Sequence, residues 1–265
     1  MIKSNLHTHT TLSDGRNTVA ENVEAALGAG FVSLGISDHS YVEGDTGTVG
    51  KDAEERYVGA IRTEAERYAG RIDVFAGLEF DRFSPCRREL YDYVIGSVHL
   101  IDCGGRLCQI DWGHEFVKWV TDEFFGGDVL KLCEEYFRTL AEHVKENRPD
   151  IVGHFDVIAL SSGVDEDDPR YIEMATGCAA EIMKWCTRFE VNTGAMGRGD
   201  RDKPYPFRPV LEEIKKRGGT VIPSSDCHDA FNINFGFDEV EKLLRSVGFT
   251  SVDRLTKDGF VSDPI

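Results

Sequence analysis

Short apolar runs alternate with amphipathic stretches along most of this chain, the pattern of βα units and a parallel sheet. Residues 2–9, 31–37, 72–78, 93–98, 150–153, 189–192 and 219–225 read as seven strands. Between them, helical spacing dominates. Thr18-Val19-Ala20-Glu21 is a capping box, followed by an apolar stripe of Val19, Val23, Ala26 and Leu27 that Gly28 or Gly30 ends. Helices are also expected over 51–69, 128–147, 168–187 (with Pro169 at its first position), 207–217 and 237–247. Residues 100–127 break the rhythm: they read as a long, aromatic-rich loop, a length that usually marks a lid or a binding loop. Past residue 247 the pattern predicts only a short irregular tail. With no repeat, linker or low-complexity segment, one domain over 1–265 is the economical expectation.

The strand ends carry the chemistry. In a strand over 2–9, His7 and His9 share a face. The second strand runs into His39, the third into Glu79, the fourth into His99 and the fifth into His154. The sixth ends at Asn192, and the seventh delivers Asp226 and His228. Asp14, in a polar loop closed by Gly15, can fold back onto the first strand. In a parallel barrel all these ends open on one face, so residues from the whole chain converge there. Any one of them is more often a packed histidine or a capping aspartate; nine at matched places are hard to assign to coincidence. Crowded imidazoles and carboxylates without a cation would suffer desolvation and mutual repulsion. The donors are all nitrogen or oxygen, which favours Zn, Fe or Mn over a thiolate site. Nine ligands exceed the needs of one ion, so two or three divalent ions are implied, with Glu79 the natural bridge.

Composition narrows the class. At 41% hydrophobic and 29% charged the chain is globular, and no apolar run is long enough to span a bilayer. A net charge of −17 without a basic run opposes polynucleotide binding while leaving small phosphorylated metabolites open. Seven scattered cysteines without a CxxC pair predict reduced thiols in the cytoplasm, and the start shows no signal peptide. Cys103 and Cys108 read as loop thiols, His114 and His143 as surface or packing residues, and Cys227 as a packing residue between two ligands.

Read together, His-Thr-His-Thr…Ser-Asp-Gly, Ser-Asp-His, Gly-Leu-Glu, Ser-Val-His, Gly-His-Phe-Asp and Ser-Asp-Cys-His resemble the PHP (polymerase and histidinol phosphatase) superfamily over about residues 3–250. Glu190-Val191-Asn192-Thr193 and Lys203-Pro204-Tyr205-Pro206 resemble its monofunctional histidinol-phosphatase branch. The resemblance implies a distorted (β/α)7 TIM-like barrel with a trinuclear site at the C-terminal ends of the strands. It places His7, His9, Glu79 and Asp226 on a first ion, Glu79, His99 and His154 on a second, and Asp14, His39 and His228 on a third. It implies hydrolysis of L-histidinol phosphate, a step of histidine biosynthesis, by a metal-bridging hydroxide, with Glu79, His99, Asp226 and Arg198 as the catalytic group. Arg198, with Arg201 second, would grip the phosphate bidentately.

Other readings stay open to the sequence, the nearest a phosphatase for another small phosphorylated metabolite. A phosphodiesterase or 3′–5′ exonuclease fits the superfamily but not the acidic surface. A metal-dependent C–N hydrolase would need a bridging lysine where His99 stands. A non-catalytic metal-binding module would leave so complete a ligand set without use.

Overall fold

The computed structural model describes residues 2–265. Its strands are β1 (Ser4–Asn5), β2 (Ser33–Ile36), β3 (Asp73–Asp81), β4 (Tyr93–Ser97), β5 (Leu100–Asp102), β6 (Leu107–Gln109), β7 (Ile151–Val152), β8 (Arg188–Asn192), β9 (Thr220–Ser224), β10 (Ser251–Thr256) and β11 (Gly259–Pro264). Its helices are α1 (Val19–Gly28), α2 (Glu54–Arg67), α3 (His114–Phe125), α4 (Val129–Asn147), α5 (Ile158–Ser162), α6 (Pro169–Ile182), α7 (Gly194–Arg198), α8 (Arg208–Lys216) and α9 (Phe237–Val247). None of the described helices is long and apolar enough to cross a membrane.

Seven strands form one sheet in the order β1-β2-β3-β4-β7-β8-β9. Every neighbouring pair in it is parallel. The sheet curls until its edges meet: Thr8 pairs with Cys227, and the His9 amide donates to the Cys227 carbonyl at 3.0 Å. The result is the nearly closed seven-stranded α/β barrel expected from the strand pattern. The ladder of β1 is shorter than the predicted strand, although the Thr8 carbonyl still accepts from the Ser37 amide at 3.0 Å on the β2 side.

The expected capping box is present: Thr18 Oγ1 accepts from the Glu21 amide and Glu21 accepts from the Thr18 amide. Helices cover the outside of the barrel, burying stripes such as Leu132, Tyr136, Leu140 and Val144 of α4. Inside the barrel a separate apolar plug comprises Leu6, Phe75, Tyr93, Ile95, Ile151, Ile222 and Leu255. It fills the N-terminal end and leaves the opposite end to polar residues.

Two expectations are corrected. Residues 100–127 are not a loop: β5 and β6 form an antiparallel ribbon, and α3 follows. The ribbon buries Ile101, Cys103, Cys108 and Ile110, while α3 buries Val117 and Val120. The alternation was hidden because each strand has only three residues, and aromatic residues masked the helical period. Trp112 stays exposed, whereas Phe116, Phe124 and Phe125 pack on the core. The tail is not irregular either. β10 and β11 form a hairpin turning at Lys257-Asp258, and its Leu255 enters the barrel plug. Asp253 fastens this hairpin by accepting from Arg188 at 2.8 Å and Thr220 at 2.7 Å. An Asp-Gly pair between β-rich runs was the available sign of a hairpin.

Candidate metal centre

All nine predicted ligand residues lie at the open, polar end of the barrel. His7 and His9 follow β1 at the seam, and Asp226 and His228 follow β9 on its other side. Glu79 lies within β3, while His39, His99 and His154 follow β2, β4 and β7 directly. Asp14 arrives from a loop folded back onto the cluster. Its Ser13 hydroxyl, with the Thr10 amide and hydroxyl, donates to the buried Asp38 carboxylate. Gly15 closes this loop because a Cβ there would lie 2.4 Å from the His9 carbonyl carbon.

Glu79 is the hub. Its Oε1 lies 2.7 Å from His154 Nε2 and 3.2 Å from His99 Nε2. Those two imidazole nitrogens are 3.2 Å apart. Oε2 faces the other way, 3.3 Å from His7 Nε2, 3.6 Å from His9 Nε2 and 2.7 Å from His39 Nδ1. Asp226 Oδ1 completes that side, 3.0 Å from His9 Nε2 and 3.6 Å from His7 Nε2. A third group forms around Asp14 Oδ2, 3.1 Å from His228 Nε2 and 3.7 Å from His39 Nε2. His9 Nδ1 borders this group at 3.6 Å from Asp14 Oδ1, and its ring stacks on His228 with centroids 4.0 Å apart. His39 thus turns one nitrogen to Glu79 and the other to Asp14.

The electrostatics are those of buried acids among imidazoles. Burial raises the pKa of Glu79, but His39, His99 and His7 outweigh it and hold the group well below the usual carboxylate range. Burial likewise opposes ionisation of Asp226, and His7 and His9 overcome it. His9 is pushed down to about 3 by burial and then by the neighbouring His228 and His39. Burial would lower His39 too, yet Glu79 carries it up to about 9.

The donor set fits divalent ions. His7 Nε2 and His9 Nδ1 are shut off from solvent with no hydrogen-bond partner, an arrangement normally avoided. Two donors on one tetrahedral ion, each at roughly 2.1 Å, stand about 3.4 Å apart. Separations of 3.0–3.7 Å around Asp226 and Asp14 match that spacing. Close groupings include His9, Asp14, His39 and His228; His7, His9 and Glu79; and His39, Glu79 and His99.

The backbone at Asp226 is unusual. Its φ of 46° lies in the left-handed region, which costs about 1 kcal/mol or more for a residue other than glycine. Gly194 packs against it so closely that a Cβ would meet Asp226 Oδ2 at 2.9 Å.

The two predicted phosphate-binding arginines are placed differently. Arg198 ends α7, half-exposed, with Nε 3.2 Å from Asp200 Oδ2. Partial burial opposes its charge, and Asp226 and Asp200 raise its pKa. Arg201 is nearly buried, with Nη2 2.7 Å from Glu166 Oε2 and 3.8 Å from Asp156 Oδ2. Its guanidinium also lies over the Tyr205 ring at 4.5 Å. Outside the cluster, His143 packs beneath β3, bonded to the Phe80 carbonyl at 2.9 Å, and His114 meets the Ser161 carbonyl at 3.0 Å. Cys227 is buried in the apolar core.

Sequence reasoning assigned no role to the outer ring of polar residues, although Glu190 and Asn192 stand in a motif it singled out. Asp81 Oδ2 accepts from the His99 amide at 2.6 Å and lies 3.4 Å from His99 Nδ1. Glu190 Oε1 lies 2.6 Å from His7 Nδ1, and Asn192 Nδ2 reaches Asp226 Oδ2 at 3.2 Å. The available sign was the two-residue spacing, which turns Glu79 with Asp81, and Glu190 with Asn192, to the same face.

Comparison with known proteins places the fold and the family. A Deinococcus radiodurans chain named "Probable histidinol-phosphatase" is 26% identical over 259 residues, covering 93% of this chain and 94% of its own. The structure of the Listeria monocytogenes hisK protein superposes with a TM-score of 0.74 at 19% identity, covering 89% of this chain and 99% of its own. That of histidinol phosphate phosphatase from Lactococcus lactis, solved with zinc, L-histidinol and phosphate, gives 0.68 at 18% identity over 98% of both chains. The PHP domain model matches residues 5–194. With well over half its length matched, and its strand ends gathered into one histidine–carboxylate cluster, the chain belongs to the PHP domain family.

Proposed function

We propose that this protein is a metal-dependent phosphomonoesterase that hydrolyses L-histidinol phosphate to L-histidinol and phosphate. One observation carries the reading: Glu79 turns its two oxygens to two separate sets of imidazoles inside a ring of nine nitrogen and oxygen donors. The Lactococcus protein's complex with zinc, L-histidinol and phosphate supports the substrate.

His7, His9, Glu79 and Asp226 would hold one ion; Glu79, His99 and His154 a second; Asp14, His39 and His228 a third. Zn, Fe and Mn all suit these donors. When bound, such ions supply neutralisation of phosphoryl oxygens and activation of water. The residues supply the frame. Glu79, His99 and Asp226 fix the charge at the centre, and Arg198 grips the phosphate from the rim with its planar fork of donors. Arg201 would first have to release Glu166 to take part. The whole of 1–265 acts as one unit, since Asp226 and His228 lie beyond the residues matched by the family model. The acidic surface opposes a polynucleotide substrate while leaving a small metabolite open, and the scattered cysteines suit the cytoplasm.

The test is phosphate release from L-histidinol phosphate, beside other monoesters and a diester, after reconstitution with Mn, Zn or Fe. Strong preference for histidinol phosphate, lost in Glu79→Ala, is the expected result. Turnover of other monoesters alone would retire the substrate. No phosphate from any monoester, with metal bound, would overturn the reading.

A further inference from the structure

Of the seven barrel strands, β8 contributes no candidate ligand among the described residues, yet it carries a fully buried carboxylate, Glu190. Such a group is costly unless donors surround it. Glu190 has three, none from lysine or arginine. Oε1 faces His7 Nδ1 at 2.6 Å, and Oε2 accepts from the His154 amide at 2.7 Å and from Asn192 Nδ2 at 2.9 Å. Asn192 extends the network: Nδ2 also reaches Asp226 Oδ2 at 3.2 Å, and Oδ1 accepts from the Gly194 amide at 2.8 Å.

We propose that Glu190 is the positioning residue of the centre, working through His7 and, by way of Asn192, through Asp226. A proton held on Nδ1 by Glu190 leaves Nε2 as the nitrogen that faces Glu79 and Asp226. The same carboxylate sets the height of His154 through its amide. One side chain from a strand without ligands thereby aligns residues from β1, β7 and β9. This inference rests on the reading of the cluster as a metal site.

The arrangement makes an unusual demand on substitution. In Glu190→Gln one end of the side chain becomes a donor, and it must face one of the three donors that Glu190 accepts. An amide N–H cannot become an acceptor, whereas His7 Nδ1 can. The variant therefore moves the His7 proton to Nε2, where it occupies the lone pair that a metal would need. Glu190→Asp retains the charge and the acceptors, drawn back by one methylene. A role in packing alone ranks the isosteric glutamine as the milder change; a role in orientation ranks aspartate as milder.

The experiment loads wild type, Glu190→Gln and Glu190→Asp with zinc and measures zinc content, affinity by chelator competition, and the His7 ring nitrogens by 15N NMR. Expected are a protonated Nδ1 in wild type, a protonated Nε2 in Glu190→Gln, and a 10- to 100-fold loss of zinc affinity in Glu190→Gln. Glu190→Asp, expected to keep Nδ1 protonated and lose less affinity, carries the test if the glutamine variant does not fold. Wild-type affinity and an unchanged tautomer in Glu190→Gln, or a larger loss in Glu190→Asp than in Glu190→Gln, would overturn the positioning role alone. Failure of wild type to take up zinc would overturn the metal site with it.

Discussion

Arg201 and Glu166 form a largely buried ion pair, Nη2 to Oε2 at 2.7 Å, that distinguishes the two arginines of the segment after β8. Arg201 serves the fold; Arg198 keeps a half-exposed guanidinium at the rim. Arg198→Ala is expected to raise KM for the phosphomonoester about tenfold or more while changing kcat little, the loss of a charge-assisted contact of roughly 1.5–3 kcal/mol. Arg201→Ala should instead cost about 3 kcal/mol in urea unfolding, because the fully buried Asp156 loses its neighbouring cation, whereas Glu166 keeps Lys203 at 3.1 Å. The reverse pattern in kinetics and unfolding would exchange their roles.

The hairpin plug makes a prediction at the other end of the barrel. Leu255→Ala should destabilise the protein by roughly 2–5 kcal/mol through the cavity left among Leu6, Tyr93 and Ile222. Turnover at a permissive temperature should be unchanged. A fall in kcat without a fall in stability would refute the separation of the two ends.

His143 gives a dependence on pH. Burial pushes its pKa down to about 4, and the neutral ring is satisfied by the Phe80 carbonyl and by Asn147. The unfolded chain binds this proton near pH 6.5 and the folded chain only near pH 4, so stability falls as pH drops between those values. The loss approaches roughly 3 kcal/mol at the acid end. His143→Gln should remove that part of the pH dependence, read as the difference between the two proteins in denaturant titrations from pH 7 to pH 4.

Chelation should affect stability as well as activity. Each ion that binds only the folded chain, at a hundredfold excess over its Kd, adds about 2.7 kcal/mol. Removal should lower Tm by roughly 5–10 °C per ion in a chain of this size and abolish phosphate release, with both restored by Zn or Mn. An unchanged Tm after complete removal would argue against ions that hold the seam.

Most of the barrel was legible because each strand reads as a short β-rich run and most end in an unmistakable side chain. His39, Glu79, His99 and His154 could each be placed from the strand that precedes them. The ribbon of β5 and β6 was not legible, since three-residue strands carry too few positions to reveal a period. The β10–β11 hairpin was missed although Asp258-Gly259 marked its turn. Glu190 escaped for a different reason: a carboxylate that touches ligands rather than a substrate looks, in sequence, like any strand acid. The unequal fates of Arg198 and Arg201 depend on Glu166, distant in sequence, which no local pattern reports.

The seam at Thr8 and Cys227 has a consequence for how the protein is made. His7 and His9 leave the ribosome first, whereas Asp226 and His228 emerge only after most of the chain has been synthesised. Until then the amino-terminal imidazoles have neither Asp226 nor the neighbouring strand edge. On the reading proposed above, a chain cut short before Asp226 would lack donors from one side of the seam, so complete metal uptake would wait until residues 226–228 have been made.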